Sequence, residues 1–111
     1  MRIWVDDVRP APWGYVWCKS VNEAKNCILI YEACAIANII DGYPDAHDKL
    51  EYIDIDHDAG DYATDGGDYI KILDWLEETG RNYPIHIHSM NPVGVQNMRR
   101  IIQKNGWREI F

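Results

Sequence analysis

The chain has 111 residues, 47% of them apolar and 26% charged, which is the size and make-up of one globular domain and excludes a disordered chain. Eleven basic against eighteen acidic residues give a formal net charge of −7, which excludes a general DNA binder or a ligand of anionic membranes, because attraction to phosphates needs a basic face. No run approaches the length of a membrane span, and the N-terminus, Met-Arg-Ile-Trp-Val-Asp-Asp, has no signal-peptide layout.

Ile3-Trp4-Val5 is an apolar run stopped by Asp6-Asp7, and Arg9-Pro10-Ala11-Pro12 follows. This predicts a buried strand entering a loop that two prolines keep from being helical. Tyr15-Val16-Trp17-Cys18 reads as a second strand. Ser20-Val21-Asn22-Glu23 fits a capping box, so a helix is expected from Val21, striped by Ala24, Cys27, Ile28 and Tyr31. Cys34 to Ile40 is apolar without a clean period, and Asp41-Gly42-Tyr43-Pro44 breaks the helix. Cys27 and Cys34 have the spacing of one buried helix face. With Cys18 and no C-x-x-C, they read as reduced structural thiols, which fits the cytoplasm.

Tyr52-Ile53-Asp54-Ile55 is a third strand, and Asp56-His57-Asp58-Ala59-Gly60 leaves its C-terminal end. A loop rich in glycine and aspartate runs to Gly66-Gly67. A second helix carries Tyr69, Ile72, Leu73 and Leu76 on one face and ends near Thr79-Gly80. Tyr83-Pro84 leads into a fourth strand, Ile85-His86-Ile87-His88. Asn91-Pro92 supplies an N-cap and a first-turn proline for a third helix, striped by Val95, Met98, Ile101 and Ile102 and ended by Gly106. Trp107 to Phe111 is expected as a fifth, edge strand. No repeat or linker divides the chain, so residues 1–111 are read as one domain.

Strands alternating with helices at short spacing predict an α/β fold, three-layered on a mostly parallel sheet. Right-handed crossovers bring the strand C-termini to one edge, and open α/β sheets bind ligands at that edge. Asp6-Asp7, Asp56-His57-Asp58 and His88-Ser89 are remote in sequence yet expected to meet there.

Asp6, Asp7, Asp56 and Asp58 are hard oxygen donors whose convergence suits a divalent cation, Mg²⁺ or Mn²⁺ rather than Zn²⁺. Without a cation their repulsion raises at least one pKa. The blander alternative is that some of them only cap loops and helix starts. Asp54, Asp56 and Asp58 imitate the first half of an EF-hand loop, but Ala59 and Asp65 stand where that loop needs glycine and glutamate. His86 and His88 alternate along one strand and face the same way, as zinc-binding pairs do. His86 nevertheless reads better as an interior residue with one hydrogen-bonded nitrogen. His88, at the strand end, and His57, between two aspartates, are the proton-transfer candidates near neutral pH. Ser89, Asn91 and Gly94 surround the start of the third helix, whose free amides make a phosphate cradle; Asn91 also serves as a plain N-cap, and Gly94 eases either ligand approach or packing. Arg9 either clamps a phosphate or pairs with a neighbouring aspartate. Ser89 lies in no G-x-S-x-G elbow, and no Walker A or G-x-G-x-x-G pattern occurs. Arg99, Arg100, Lys104 and Arg108 read as mostly solvated.

Val5-Asp6-Asp7-Val8-Arg9-Pro10, Ile55-Asp56-His57-Asp58-Ala59-Gly60, Gly67-Asp68-Tyr69 and His88-Ser89-Met90-Asn91-Pro92-Val93-Gly94 occur in this order. Together they resemble the cyclic-phosphate processing receiver-like family, a divergent branch of the response-regulator receiver fold. The resemblance implies a receiver/flavodoxin-like fold, metal at Asp6-Asp7, Asp56 at the phosphoacceptor position and a phosphoryl contact from Ser89. The chain departs from ordinary receivers in its proline-rich loop in place of the first helix, in offering no lysine after a fifth strand, and in His57 and His88 beside the site. Those departures turn the expectation from phosphorelay to hydrolysis, with Asp56, His57 and His88 as the catalytic group. The expected activity is that of a metal-assisted phosphoesterase acting on a small cyclic nucleotide or an RNA 2′,3′-cyclic end. The alternative is a degenerate receiver that binds a phosphorylated ligand or a partner protein without chemistry.

Overall fold

Five strands, Arg2–Val5 (β1), Tyr15–Cys18 (β2), Tyr52–Ile55 (β3), Ile85–Ile87 (β4) and Glu109–Ile110 (β5), pair in parallel in the order β2-β1-β3-β4-β5. Helices Val21–Ile40 (α1), Ile70–Glu78 (α2) and Pro92–Asn105 (α3) connect them, with a 3₁₀ turn at Gly60–Thr64. The computed structural model describes residues 1–43, 45 and 47–111; Pro44, one of the expected helix breakers, lies outside the described residues. The order is that of flavodoxin-like sheets, whose switch point falls between β1 and β3. The expected α/β class, parallel sheet and receiver-like architecture are present.

The connections β2→β3, β3→β4 and β4→β5 all advance the same way across the sheet, so right-handed crossovers lay α1, α2 and α3 on one face. There α2 packs against both α1 and α3. Ile3, Val5, Ile53, Ile55 and Ile85 alternate onto this face and are fully buried beneath Ile72, Leu73, Leu76 and Met98. The connection β1→β2 advances the other way and consists of the non-helical segment 6–14. The third layer expected from sequence is therefore a loop, because Pro10 and Pro12 deny it helical hydrogen bonds. Beneath it, the second sheet face carries Arg2, Trp4, Tyr15, Trp17, Tyr52, Asp54 and His86, related by the strand registers.

Local signals set the helix starts. Ser20 Oγ accepts from the Glu23 amide at 3.0 Å, while the Glu23 carboxylate takes the Lys19 amide at 3.1 Å, one residue earlier than an ideal capping box. Asn91 Oδ1 accepts from the Gly94 amide at 3.0 Å to cap α3, which stops at Gly106 in the left-handed region at φ 68°. α1 runs through the aperiodic stretch to Ile40. Two core expectations are corrected. Cys34 is exposed and Cys27 half-buried, because their shared face lies on the flank of α1 and only Cys18 reaches the core. His86 lies on the loop-covered face with its side chain 32% exposed, although one nitrogen is hydrogen-bonded as expected. Among the described residues no helix is long and apolar enough to cross a membrane.

Candidate active site

Parallel pairing continues one residue past the strand ends. Asp6 N donates to Cys18 O at 3.2 Å, Asp56 N to Val5 O at 2.9 Å and His88 N to Ile55 O at 3.0 Å. These bonds hold Asp6, Asp56 and His88 in one row across β1, β3 and β4, at the switch point. Each offers a ligand atom, and the three atoms lie within 4.8 Å of one another. The row shares its face with Trp4, Asp54 and His86, two residues back in each strand, because side chains alternate with period two.

Asp6 is fully buried. Its Oδ1 accepts from the amides of Val8 and Arg9 at 3.0 and 2.9 Å, and its Oδ2 lies 2.9 Å from His88 Nε2. Burial disfavours its charge, but the two amides and His88 outweigh burial and hold its pKa below the usual carboxylate value. His88 is bracketed: Nδ1 lies 2.7 Å from Asp54 Oδ1, and the ring stacks on Trp4 at 3.9 Å between centroids, 4° from parallel. Burial lowers its pKa, yet the bonds and charges of Asp54 and Asp6 raise it above the ordinary imidazole value. Asp54 Oδ1 also takes His86 Nδ1 at 2.7 Å. Asp54 itself is 4% exposed.

Asp7 flanks the row. Burial raises its pKa, and the charges of Asp6 and Asp56 raise it further, against its own backbone hydrogen bond. A Cβ on Gly60 would collide with Asp7 Oδ2, and Gly60 holds φ +53°, so glycine there leaves room for this carboxylate.

A second cluster forms beside the first. The His57 amide donates to Asp56 Oδ1 at 2.7 Å, and His57 Nδ1 lies 2.8 Å from Asp58 Oδ1. Asn91 Nδ2 donates to both Asp58 oxygens at 3.4 Å. A Cβ on Gly94 would strike the His57 ring. Gly94 thus admits the imidazole onto the first turn of α3, which is the packing alternative for that glycine. Asp58, 62% exposed along its side chain, is turned toward His57 and Asn91 and is not in the close donor row.

The phosphate candidates line the same edge. Pro92 has no amide, Gly94 N is taken by Asn91, and Asn91 N donates to Ser89 Oγ at 3.1 Å. The amides of Ser89, Met90 and Val93 make no hydrogen bond among the described residues. Arg9 forms no ion pair among the described residues; its Nη1 sits 3.5 Å from His88 O, which joins the 6–14 loop to the β4 end. The structure therefore brings Asp6, Asp56 and His88 into one group, His57, Asp58 and Asn91 into a second, and places Asp7, Arg9, Ser89 and Gly94 around them.

Sequence reasoning missed Asp54, Trp4 and Gly60. For Asp54 the signal was available: a carboxylate between two isoleucines in a buried strand needs a partner, and His86 and His88 alternate on the next strand.

A model of the cyclic-phosphate processing receiver domain matches residues 1–104, and the chain belongs to that family. No curated protein and no solved structure matches it.

Proposed function

We propose that this member of the cyclic-phosphate processing receiver family is a metal-assisted phosphoesterase that opens cyclic phosphodiesters, carried by small nucleotides or by RNA ends. The observation that supports this most is the row Asp6, Asp56 and His88, whose ligand atoms share one small volume. Two carboxylates and one imidazole fit a divalent cation, and the imidazole favours Mn²⁺ over Mg²⁺. The amides of Val8 and Arg9, with His88, favour the charged form of Asp6, the form a cation needs. His88 would ligate through Nε2 while Nδ1–H stays on Asp54, the carboxylate–histidine arrangement that fixes tautomer and ring orientation. A cation there supplies Lewis-acid polarisation of the phosphoryl oxygens.

The chain's own groups do the rest. The amides of Ser89, Met90 and Val93, with Arg9 nearby, hold a phosphoryl group at the start of α3. His57 is the proton carrier: Asp58 orients it through Nδ1, and Nε2 has no protein partner among the described residues. This divides between the two histidines a role expected of both. Both nitrogens of His88 face carboxylates, so it anchors, whereas His57 can exchange a proton.

The test is turnover of 2′,3′-cyclic mononucleotides and of an oligoribonucleotide ending in a 2′,3′-cyclic phosphate, with Mn²⁺ or Mg²⁺. Product formed by the wild type and lost at least about a hundredfold in His57→Ala supports the assignment. Binding without turnover under every condition replaces it with the reading of a non-catalytic module.

A further inference from the structure

α1 carries two apolar faces, and the fold uses one. Its first half buries Val21, Ala24 and Ile28 against the sheet, and no later residue of the helix is buried. From Leu29 to Ile40 only Glu32 is charged, and its carboxylate is tied to Arg81 and Tyr83. Opposite the core, Leu29, Ile30, Ala33, Ile36, Ala37 and Ile40 are all exposed. Ile30, Ile36 and Ile40 are 64%, 58% and 78% exposed. Leu29, Ala33, Ile36 and Ile40 follow the four-three-four spacing of a heptad seam. Ile30 and Ala37 widen that seam into a stripe like the core-facing stripe of an amphipathic helix. The two stripes together explain why residues 34–40 show no clean period.

We infer that the Leu29–Ile40 stripe is a self-association surface, on which a second copy of this chain lays its own stripe about a two-fold axis. Area is the first reason. The stripe leaves about 500 Å² of apolar surface, near the top of the range for the largest patch on a monomer. Two copies with their neighbouring atoms bury about 1,000–1,400 Å², where specific interfaces begin. Shape is the second reason. Ala33 and Ala37 leave hollows beside the ridges of Ile36 and Ile40, so one patch holds both halves of a ridge-and-groove fit, as a two-fold contact requires. Charge is the third. Each copy carries −7, yet the stripe itself contains no charged residue, so pairing places no like charges in contact. The inference is independent of the proposed chemistry, which sits at the sheet edge.

Sedimentation equilibrium and light scattering on the purified chain from 1 to 100 μM test it. The wild type is expected to be a dimer at the upper end. Ile36→Glu and Ile40→Glu, both at exposed positions, are each expected to weaken dimerisation at least about a hundredfold, with circular dichroism and melting of the monomer unchanged. Phe111→Glu, 91% exposed and just past β5, leaves the dimer intact. A wild type still monomeric at 100 μM overturns the inference and assigns the stripe to another chain. So does a dimer that survives both α1 substitutions, or one equally sensitive to Phe111→Glu.

Discussion

Replacing Asp54 by asparagine isolates the support behind the metal-binding row. Asp54 is 4% exposed, and its Oδ1 takes both His86 Nδ1 and His88 Nδ1 at 2.7 Å. Asparagine keeps the side-chain volume and one acceptor oxygen, so the loss is chiefly of charge. Hydrogen bonds to a charged group contribute about 1.5–3 kcal/mol against about 0.5–1.5 for neutral pairs, so the His86 and His88 bonds each weaken by about 1 kcal/mol. In a domain near this size each such loss lowers the melting temperature by about 4–8 °C. Cation binding is affected as well, since removing the carboxylate behind a metal-bound histidine costs about 10–100-fold in affinity. Titration calorimetry with MnCl₂ on chelator-treated protein at pH 7 measures this directly, without reference to any substrate. His86→Gln is the control: it touches Asp54 but lies outside the donor row, so its Mn²⁺ affinity stays near the wild-type value. Folded Asp54→Asn protein with wild-type Mn²⁺ affinity would refute the idea that Asp54 positions His88.

Three further outcomes follow from the same geometry. Without metal, the contribution of His88, whose folded pKa is raised above 6.5, is full below that value and lost as pH rises through the folded one; that of Asp6, held below 3.8, is present above 3.8 and lost as pH falls. Melts of the apo protein should thus peak between about pH 4 and 6.5, and Mn²⁺ should stabilise most above that window; a flat apo profile contradicts the pairing. Gly94→Ala drives a Cβ into the His57 ring, so it should cost about 1–3 kcal/mol of stability and move the His57 imidazole resonances, and an unshifted NMR spectrum would show the packing to be wrong. Glu32→Gln removes a carboxylate that Arg81 and Tyr83 keep below the usual pKa despite burial; the loss of about 1 kcal/mol should appear in urea melts above pH 4.5 and vanish as pH falls through the folded value.

The strands, the helix starts and the meeting of Asp6, Asp56 and His88 were legible because each rests on a short-range rule. Short apolar runs stopped by polar or turn residues mark the strands, Ser20 and Asn91 mark the caps, and right-handed crossovers bring the strand ends to one edge. The division of labour among the site residues was not legible. Asp58 follows Asp56 by two residues and by spacing belongs with it, but the chain turns after Asp56, and Asp58 meets His57 and Asn91 instead. The role of Gly94 depended on a ring arriving from residue 57, which no local pattern announces. The end of α1 was obscured because its second half satisfies two apolar faces at once.

The missing helical layer and the ionisable network have one origin. A helix on the second sheet face would demand apolar side chains at Trp4, Asp54 and His86, since buried unpaired polar groups are costly. The segment 6–14 makes a different demand. It turns on Asp6, whose carboxylate takes the amides of Val8 and Arg9, and it crosses the face with the Trp4 indole donating to Arg9 O at 2.9 Å. The Trp17 indole donates to Asp6 O at 2.8 Å. Trp4 then presents its ring to His88, and the polar side chains beneath the loop satisfy one another through Asp54. The prolines that prevent a helix after β1 therefore leave space in which a histidine can stand between two carboxylates. Substituting Pro10 and Pro12 together by alanine should loosen this arrangement without touching the row itself. Mn²⁺ affinity would fall several-fold while α2 and α3 stay protected in hydrogen exchange. Unchanged affinity, with a 6–14 loop that exchanges freely, would separate the loop from the site and sink this account of their common origin.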